Sequence, residues 1–309
     1  MIHTVTLNPA LDKTATVPEL KLDLVNRITE LRADPGGKGI NVSKVVRELG
    51  GETIAWAVLA GNTGLAIQNM LADLGVDCHV FSVDGETRTN LKVVDPVLDT
   101  HTDINEPGPE VTDEMLSAML DELCAAVTAD DIVVLSGSLP RGASADTYRT
   151  WVSALKKTGA HVYLDADGDK LVAGIEACPD LIKPNEIELG AMLGRELDTD
   201  EKVAEAAHEL LDRGLARVMV SMGGAGAVYA TPERTIKASP VKVKVGSTVG
   251  AGDSVVAALA YAEARGLSVE DTMKLAMATG AANVMQTGTQ AAPRELVDTL
   301  IDRVELTEL

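Results

Sequence analysis

The segment DIVVLSGSLPRGASADTYRTWVSALKKTGAHVYLDAD (131–167) carries the pattern that decides the fold. Ile132–Leu135 is a short apolar run, as a buried strand requires, and Asp146–Lys157 has the mixed spacing of an amphipathic helix. Gly159 stops that helix, and His161–Leu164 is a second apolar run. The rhythm recurs along the chain. Ile2–Leu7, Ile54–Leu59, Leu181–Ile182 and Arg217–Val220 read as further strands; about Ile40–Leu49, Leu65–Leu74, Asp113–Val127 and Glu201–Leu211 read as further helices. Such alternation predicts an α/β fold with a mainly parallel sheet and helices on both faces. The tail departs from it, with three successive helices expected at Asp253–Arg265, Val269–Gln286 and Pro293–Val304.

Two stretches also break the rhythm. Thr14–Val17 with Leu24–Leu31, and Arg88–Val94 with Thr100–Asn105, alternate polar and apolar residues like half-exposed strand pairs. They predict a small four-stranded sheet, about 13–34 and 87–106, inserted in a single domain spanning 1–309. It would serve as a lid, a dimer contact or both.

Composition narrows the function. The 309 residues carry 47 acidic and 27 basic side chains, a net charge of −20, which disfavours nucleic acid and anionic membrane surfaces as partners. Small anionic ligands remain open, because their sites are local. With one Phe, four Tyr and two Trp, the core must be aliphatic. The opening MIHTVTLNPALDK lacks a leader pattern, and the apolar run Val255–Ala262 ends at Glu263, well short of the ~18–20 residues of a membrane span. Cys78, Cys124 and Cys178 fit neither a disulfide framework nor a zinc pattern, and the five histidines are scattered. A cytoplasmic protein with reduced thiols and no structural metal is expected.

Three glycine clusters suggest chemistry: Pro35–Val42 ahead of a helix, Ser221–Ala227 after a strand, and Ser247–Ser254 opening an Ala-rich helix. Glycines at a helix start let backbone N–H groups approach an anion. None is a Walker loop, and no GxGxxG opens the first βα unit, which disfavours a dehydrogenase. Taken singly, each loop is most simply a tight turn, and Asp253 a carboxylate complementing its helix dipole. Together, with a Lys and an Asp embedded in them, they suit phosphoryl transfer to a hydroxyl: a carboxylate takes the alcohol proton while N–H groups stabilise the transferring charge.

GSTVGAGDS (246–254) resembles the C-terminal signature of the ribokinase-like, PfkB-type carbohydrate kinases, and GGKGINVS (36–43) their N-terminal signature. SGSLPRG (136–142), KPNEIEL (183–189) and SMGGAGA (221–227) resemble family motifs in family order. TLNPALD (6–12) and TRTNLKV (87–93) narrow the resemblance to the hexose-phosphate branch, and TDINEPGPE (102–110) looks most like 1-phosphofructokinase. The resemblance implies a ribokinase-like three-layer α/β/α core with a small β lid.

It also implies roles. Asp253 matches the family's catalytic base, and Gly250, Ala251 and Gly252 its anion hole. Asn185 and Glu188 match the NxxE motif that organises Mg²⁺, through water. Ser221, Gly223, Gly224 and Gly226 match the nucleotide loop, Asn283 a position near the adenine, and Lys183 a contact to the ATP phosphates. On the sugar side, Asp12 matches the carboxylate that holds hydroxyls, with Gly37, Lys38 and Asn41 completing the pocket. Arg88, whose planar fork suits phosphate, is expected with Lys38 at the substrate's own phosphate. Ser138 would donate to the phosphate or the sugar. Asn90 and Lys92 share one strand face with Arg88, and Arg27 would reach a partner's site across a lid dimer. For Asn90, Lys92 and Arg27 an exposed lid face is an equal expectation.

The implied reaction is ATP-dependent phosphorylation of fructose 1-phosphate at its 6-hydroxyl. Tagatose 6-phosphate or fructose 6-phosphate as substrate, and a non-catalytic sugar-phosphate sensor, are the alternatives.

Overall fold

The computed structural model describes all 309 residues. Its strands are β1 (Ile2–Thr6), β2 (Ala10–Thr16), β3 (Glu30–Gly36), β4 (Thr53–Leu59), β5 (Asp77–Ser82), β6 (Arg88–Asp95) and β7 (Thr100–Asn105). They continue with β8 (Ile132–Ser136), β9 (His161–Asp165), β10 (Leu181–Ile182), β11 (Arg217–Ser221), β12 (Ala227–Ala230), β13 (Thr235–Ala238) and β14 (Leu306–Glu308). The helices are α1 (Lys38–Glu48), α2 (Gly61–Asp73), α3 (Asp113–Ala126), α4 (Thr147–Lys156) and α5 (Gly168–Ile175). After them come α6 (Glu186–Leu193), α7 (Asp200–Asp212), α8 (Ala251–Ala264), α9 (Val269–Val284) and α10 (Arg294–Ile301).

Ten strands form the main sheet in the order β14-β13-β12-β11-β10-β9-β8-β1-β4-β5. It is parallel from β11 to β5 and antiparallel from β11 to β14. Successive residues of a buried strand supply opposite faces. Val133, Leu135, Val162 and Leu164 pack with α3 to α7; Ile132, Val134 and Tyr163 pack with α1, α8, α9 and α10. Three layers result, with the aliphatic core that the composition requires. No helix is long and apolar enough to cross a membrane.

The chain reverses direction of growth at β1, with β4 on one side and β8 on the other. In an open α/β sheet such a switch point leaves a crevice at the carboxyl ends of the strands. Helix α1 closes one wall of it, and its entry requires a glycine. A Cβ built on Gly39 would lie 2.5 Å from both the Val5 carbonyl oxygen and Thr6 Oγ1. The absence of a side chain lets Ile40 N–H donate to Thr6 Oγ1 at 2.9 Å.

The second sheet, β3-β2-β6-β7, is the expected lid, with shifted boundaries. Its second strand is Glu30–Gly36, not Leu24–Leu31. The β2 ladder pairs Ala10 with Gly36 and Thr16 with Glu30, and it closes with Thr29 N–H donating to the Thr16 carbonyl at 2.9 Å. The Asn26 side chain instead bonds Lys21 and Leu24 backbone groups, the local competition that Asn commonly offers to a ladder. Leu22, Leu24, Val25 and Ile28 are left on an exposed loop. Strands β5, β12, β13 and β14 and helices α5 and α6 extend the predicted set. The three tail helices are found, ending slightly earlier than expected.

Gly39→Ala should lower unfolding stability by about 1–3 kcal/mol, the cost of overpacking where backbone cannot give way. Denaturant titration checks this; a variant as stable as the parent would show that α1 has room to move.

Candidate active site

Strands β1, β8, β9 and β11 end at Thr6, Ser136, Asp165 and Ser221, and β10 runs directly into Lys183. These ends and the lid surround one cleft of about 480 Å³, in which Val249 is the only hydrophobic lining residue. A wall this polar suits charged, hydroxyl-rich ligands rather than apolar ones.

Helix α8 opens against the cleft. Gly250 adopts the left-handed conformation at φ 79°, which glycine reaches without steric cost. The first i→i−4 bond of the helix runs from Ser254 N–H to the Gly250 carbonyl, so the N–H groups of Gly252 and Asp253 precede the helical ladder. They add to the positive end of the helix dipole. Asn283 is buried and donates to the Val249 carbonyl at 3.3 Å, propping this loop from beneath.

Asp253 sits in the first turn, buried, accepting from Asn41 Nδ2 at 2.8 Å. Burial, reinforced by the nearby Asp165 charge, pushes its carboxyl up to about 6. A carboxylate raised this far is a competent proton acceptor near neutral pH.

Asp165, at the end of β9, is the residue that motif reading passed over. It lies between two ammonium groups: Lys38 Nζ at 3.4 Å and Lys183 Nζ at 3.5 Å. Burial alone would lift its carboxyl, but the two lysines hold it below the ordinary value. In return Asp165 raises Lys38. Lys183 Nζ also lies 3.1 Å from where a Gly252 Cβ would stand, so the ammonium rests against the start of α8. Its sequence signal was a charged residue directly closing an apolar strand.

The sugar-side residues gather across the cleft. Asp12 accepts from Asn90 Nδ2 at 2.9 Å, and burial raises its carboxyl. Gly36 lets the Asp12 carboxylate approach, since a Cβ there would lie 2.0 Å from its Oδ2. The Arg88 guanidinium is tied to the Asn8 carbonyl at 3.1 Å, and Gly37, Lys38, Asn41 and Ser138 complete this wall. Asn8 donates to Ser138 Oγ at 3.2 Å, and the Oδ1 atoms of Asn8 and Asn41 are buried without partners. Asn41 is among the expected sugar-pocket residues, whereas Asn8 lies within the TLNPALD motif with no role expected of it, and both line the cleft.

Other expectations are placed differently. Asn185 caps α6, accepting from Glu188 N–H at 2.7 Å while Glu188 accepts from Asn185 N–H at 3.0 Å. The pair is thus a capping box, and it aims Glu188 at the cleft while occupying the Asn185 side chain. Ser221 lines the cleft, whereas Gly223 and Gly224 lie on an exposed 3₁₀ turn beyond it. Gly226 is packed beneath Ala238, whose carbonyl oxygen would stand 2.1 Å from a Cβ. Lys92 lines an adjoining hollow, 3.8 Å from Asp103, and Arg27 lies exposed on the lid loop.

The arrangement sets the buried Asp253 carboxylate and a helix N-terminus on one side of the cleft against Asp12, Lys38 and Arg88 on the other. The chain is similar to known proteins along its length. The chain is 35% identical to the 1-phosphofructokinase of Haemophilus influenzae, over 99% of this chain and 98% of that protein. It is 38% identical to the 1-phosphofructokinase of Rhodobacter capsulatus, over 100% and 98%. The structure of phosphofructokinase-2 from Escherichia coli in complex with substrates and products superposes with a TM-score of 0.93 at 32% identity, covering 98% of each chain. The family model described as pfkB family carbohydrate kinase matches residues 6–295, and the chain belongs to that family.

Proposed function

We propose that this protein transfers the γ-phosphoryl group of ATP to the 6-hydroxyl of fructose 1-phosphate, giving fructose 1,6-bisphosphate and ADP. The observation that carries the reading is Asp253, a raised carboxylate at the mouth of a helix N-terminus in a polar cleft. The names of the two relatives, with near-complete coverage of both chains, support the substrate.

In this reading the sugar is held by Asp12 and Asn41, with its own phosphate on Arg88 and Lys38. Asp253 takes the proton of the 6-hydroxyl as that oxygen attacks the γ-phosphorus and the bond to the β-phosphate oxygen breaks. The N–H groups of Gly252 and Asp253, presented by the Gly250 turn, stabilise the charge of the moving group, and Lys183 steadies the ATP phosphates. The lid excludes water, the competing acceptor.

Mg²⁺ fits the site. Three cations, Lys38, Arg88 and Lys183, face five carboxylates, Asp12, Asp165, Asp167, Glu188 and Asp253. The cleft therefore lacks the positive charge that two phosphate-bearing ligands require. Glu188, assisted by the Asn185 cap, would hold the ion through water, and the bound ion would neutralise phosphate charge. We also propose a homodimer formed through the lid, because Leu22, Leu24, Val25 and Ile28 stand exposed on one loop. The unpaired thiols Cys78, Cys124 and Cys178 suit a reducing compartment, and we place the protein in the cytoplasm.

Asp253→Asn should lower kcat by several orders of magnitude while ATP binding, followed by calorimetry, is kept; near-normal turnover would remove Asp253 from the role of base. The acid limb of kcat/KM should lie near pH 6, activity falling as Asp253 takes up its proton. Asp165→Asn removes the carboxylate that lifts Asp253 and frees two lysines to favour its charged form, so the limb should move to lower pH. An unmoved limb would break that electrostatic link. Val25→Asp should dissociate the dimer in sedimentation; an unchanged assembly would place the contact elsewhere.

A further inference from the structure

One buried ammonium is unused by this mechanism. Lys44, on α1 beyond Asn41, is 6% exposed. Its ammonium donates to two backbone carbonyls, Pro35 O at 2.9 Å and Thr289 O at 2.8 Å. Neither acceptor is a carboxylate. Burying an ammonium against neutral carbonyls is costly, and burial pulls Lys44 down to about 8 although Asp34, Asp12 and Asp253 oppose this from a distance. A hydrophobic side chain of similar length would avoid the cost if packing were all that the position required.

The two carbonyls belong to opposite halves of the active site. Pro35 lies at the end of β3, where the lid strand passes into the sugar-side loop Gly36–Lys38. Thr289 lies in the loop after α9, whose start is fastened to the anion hole. Gly246 and Ser247 N–H both donate to the Val284 carbonyl, at 2.7 and 3.1 Å, and Asn283 holds the Val249 carbonyl. A Cβ on Gly288 would stand 3.1 Å from Asp34 Oδ2, so this loop already rests on the lid strand.

We infer that Lys44 is a positioning residue for phosphoryl transfer: its ammonium ties the Pro35 carbonyl to the Thr289 carbonyl and thereby fixes the sugar-side loop relative to the anion hole. The inference rests on the proposed reaction, since its purpose is the alignment of acceptor hydroxyl and transferring phosphoryl group. Misalignment on the scale of an ångström costs on the order of 10²-fold in rate.

The test compares the parent protein with Lys44→Met, which keeps length and loses every donor, and Lys44→Arg, which keeps charge and donors. Lys44→Met should lower kcat for fructose 1-phosphate by about 10²-fold, with little change in the KM for ATP, and Lys44→Arg should recover much of the loss. Backbone hydrogen exchange in Lys44→Met should accelerate in 246–250 and 284–290 while β1, β8 and β9 keep their protection. Parental kcat and parental exchange in Lys44→Met would overturn the inference. So would exchange that accelerates uniformly through the sheet, with no recovery by Lys44→Arg, because that is the mark of a purely structural residue. If the parent itself does not phosphorylate fructose 1-phosphate, the proposed reaction fails, and local against unchanged exchange still decides whether the tether exists.

Discussion

Asp165 is buried between Lys38 and Lys183, and the active end of the molecule is organised around that one carboxylate. The three groups come from β9, the start of α1 and the end of β10, so three separate βα junctions meet there. Lys183 is buried like Asp165, and a buried pair stripped of one partner costs about 3–5 kcal/mol, which holds that lysine in place before any ligand arrives. Lys38 is partly exposed and held less tightly. The same carboxylate adds to the effect of burial in raising Asp253, so the positions of the cations and the proton affinity of Asp253 are linked.

Around this triad the cleft divides by chemistry. On one side the start of α8 offers backbone N–H groups, kept accessible by Gly250 and Gly252. On the other, Asp12 and Asn41 offer acceptors and donors suited to hydroxyls, and Arg88 a planar fork. The net charge of −20 is therefore no obstacle to anionic ligands, because three cations and a helix terminus stand where phosphates would lie. The acid excess elsewhere favours solubility and repels polyanions. The remaining carboxylates of the cleft leave a role for a divalent ion brought with the nucleotide.

Much of this was legible in the sequence, for identifiable reasons. Buried strands such as Ile132–Leu135 write themselves as apolar runs, and Gly159 and Gly214 punctuate their helices. GSTVGAGDS and GGKGINVS meet at the cleft because each opens a helix packed on the same face of the sheet, where Asn41 bonds Asp253. Less legible were features set by pairing or by distant contacts. The exposed apolar residues from Leu22 to Ile28 mimic a strand, yet the β2 ladder runs from Ala10 and takes Glu30–Gly36 as its partner. Asp165 and Lys44 belong to no glycine cluster, and their partners are far away in the chain. Glu188 and Asn185 match a metal-organising motif, and the capping box they form on α6 is a second task that the motif does not announce. Gly226, matched to the nucleotide loop by resemblance, is also required by the close approach of the Ala238 carbonyl.

The choice among hexose phosphates depends on which end of the sugar meets Asp253 and which meets Arg88. Fructose 1-phosphate, fructose 6-phosphate and tagatose 6-phosphate all present a phosphate at one end and a hydroxyl at the other, so discrimination rests on hydroxyl contacts between those ends. Asp12, Asn8 and Asn41 line that part of the cleft, and in the proposed reading they make those contacts. The most direct test is kcat/KM for ADP release on each of the three sugars, with the product identified by ³¹P NMR. Fructose 1-phosphate should be the preferred acceptor by a wide margin, yielding fructose 1,6-bisphosphate. Preference for fructose 6-phosphate or tagatose 6-phosphate, or release of ADP with none of the three, would contradict the proposed reaction.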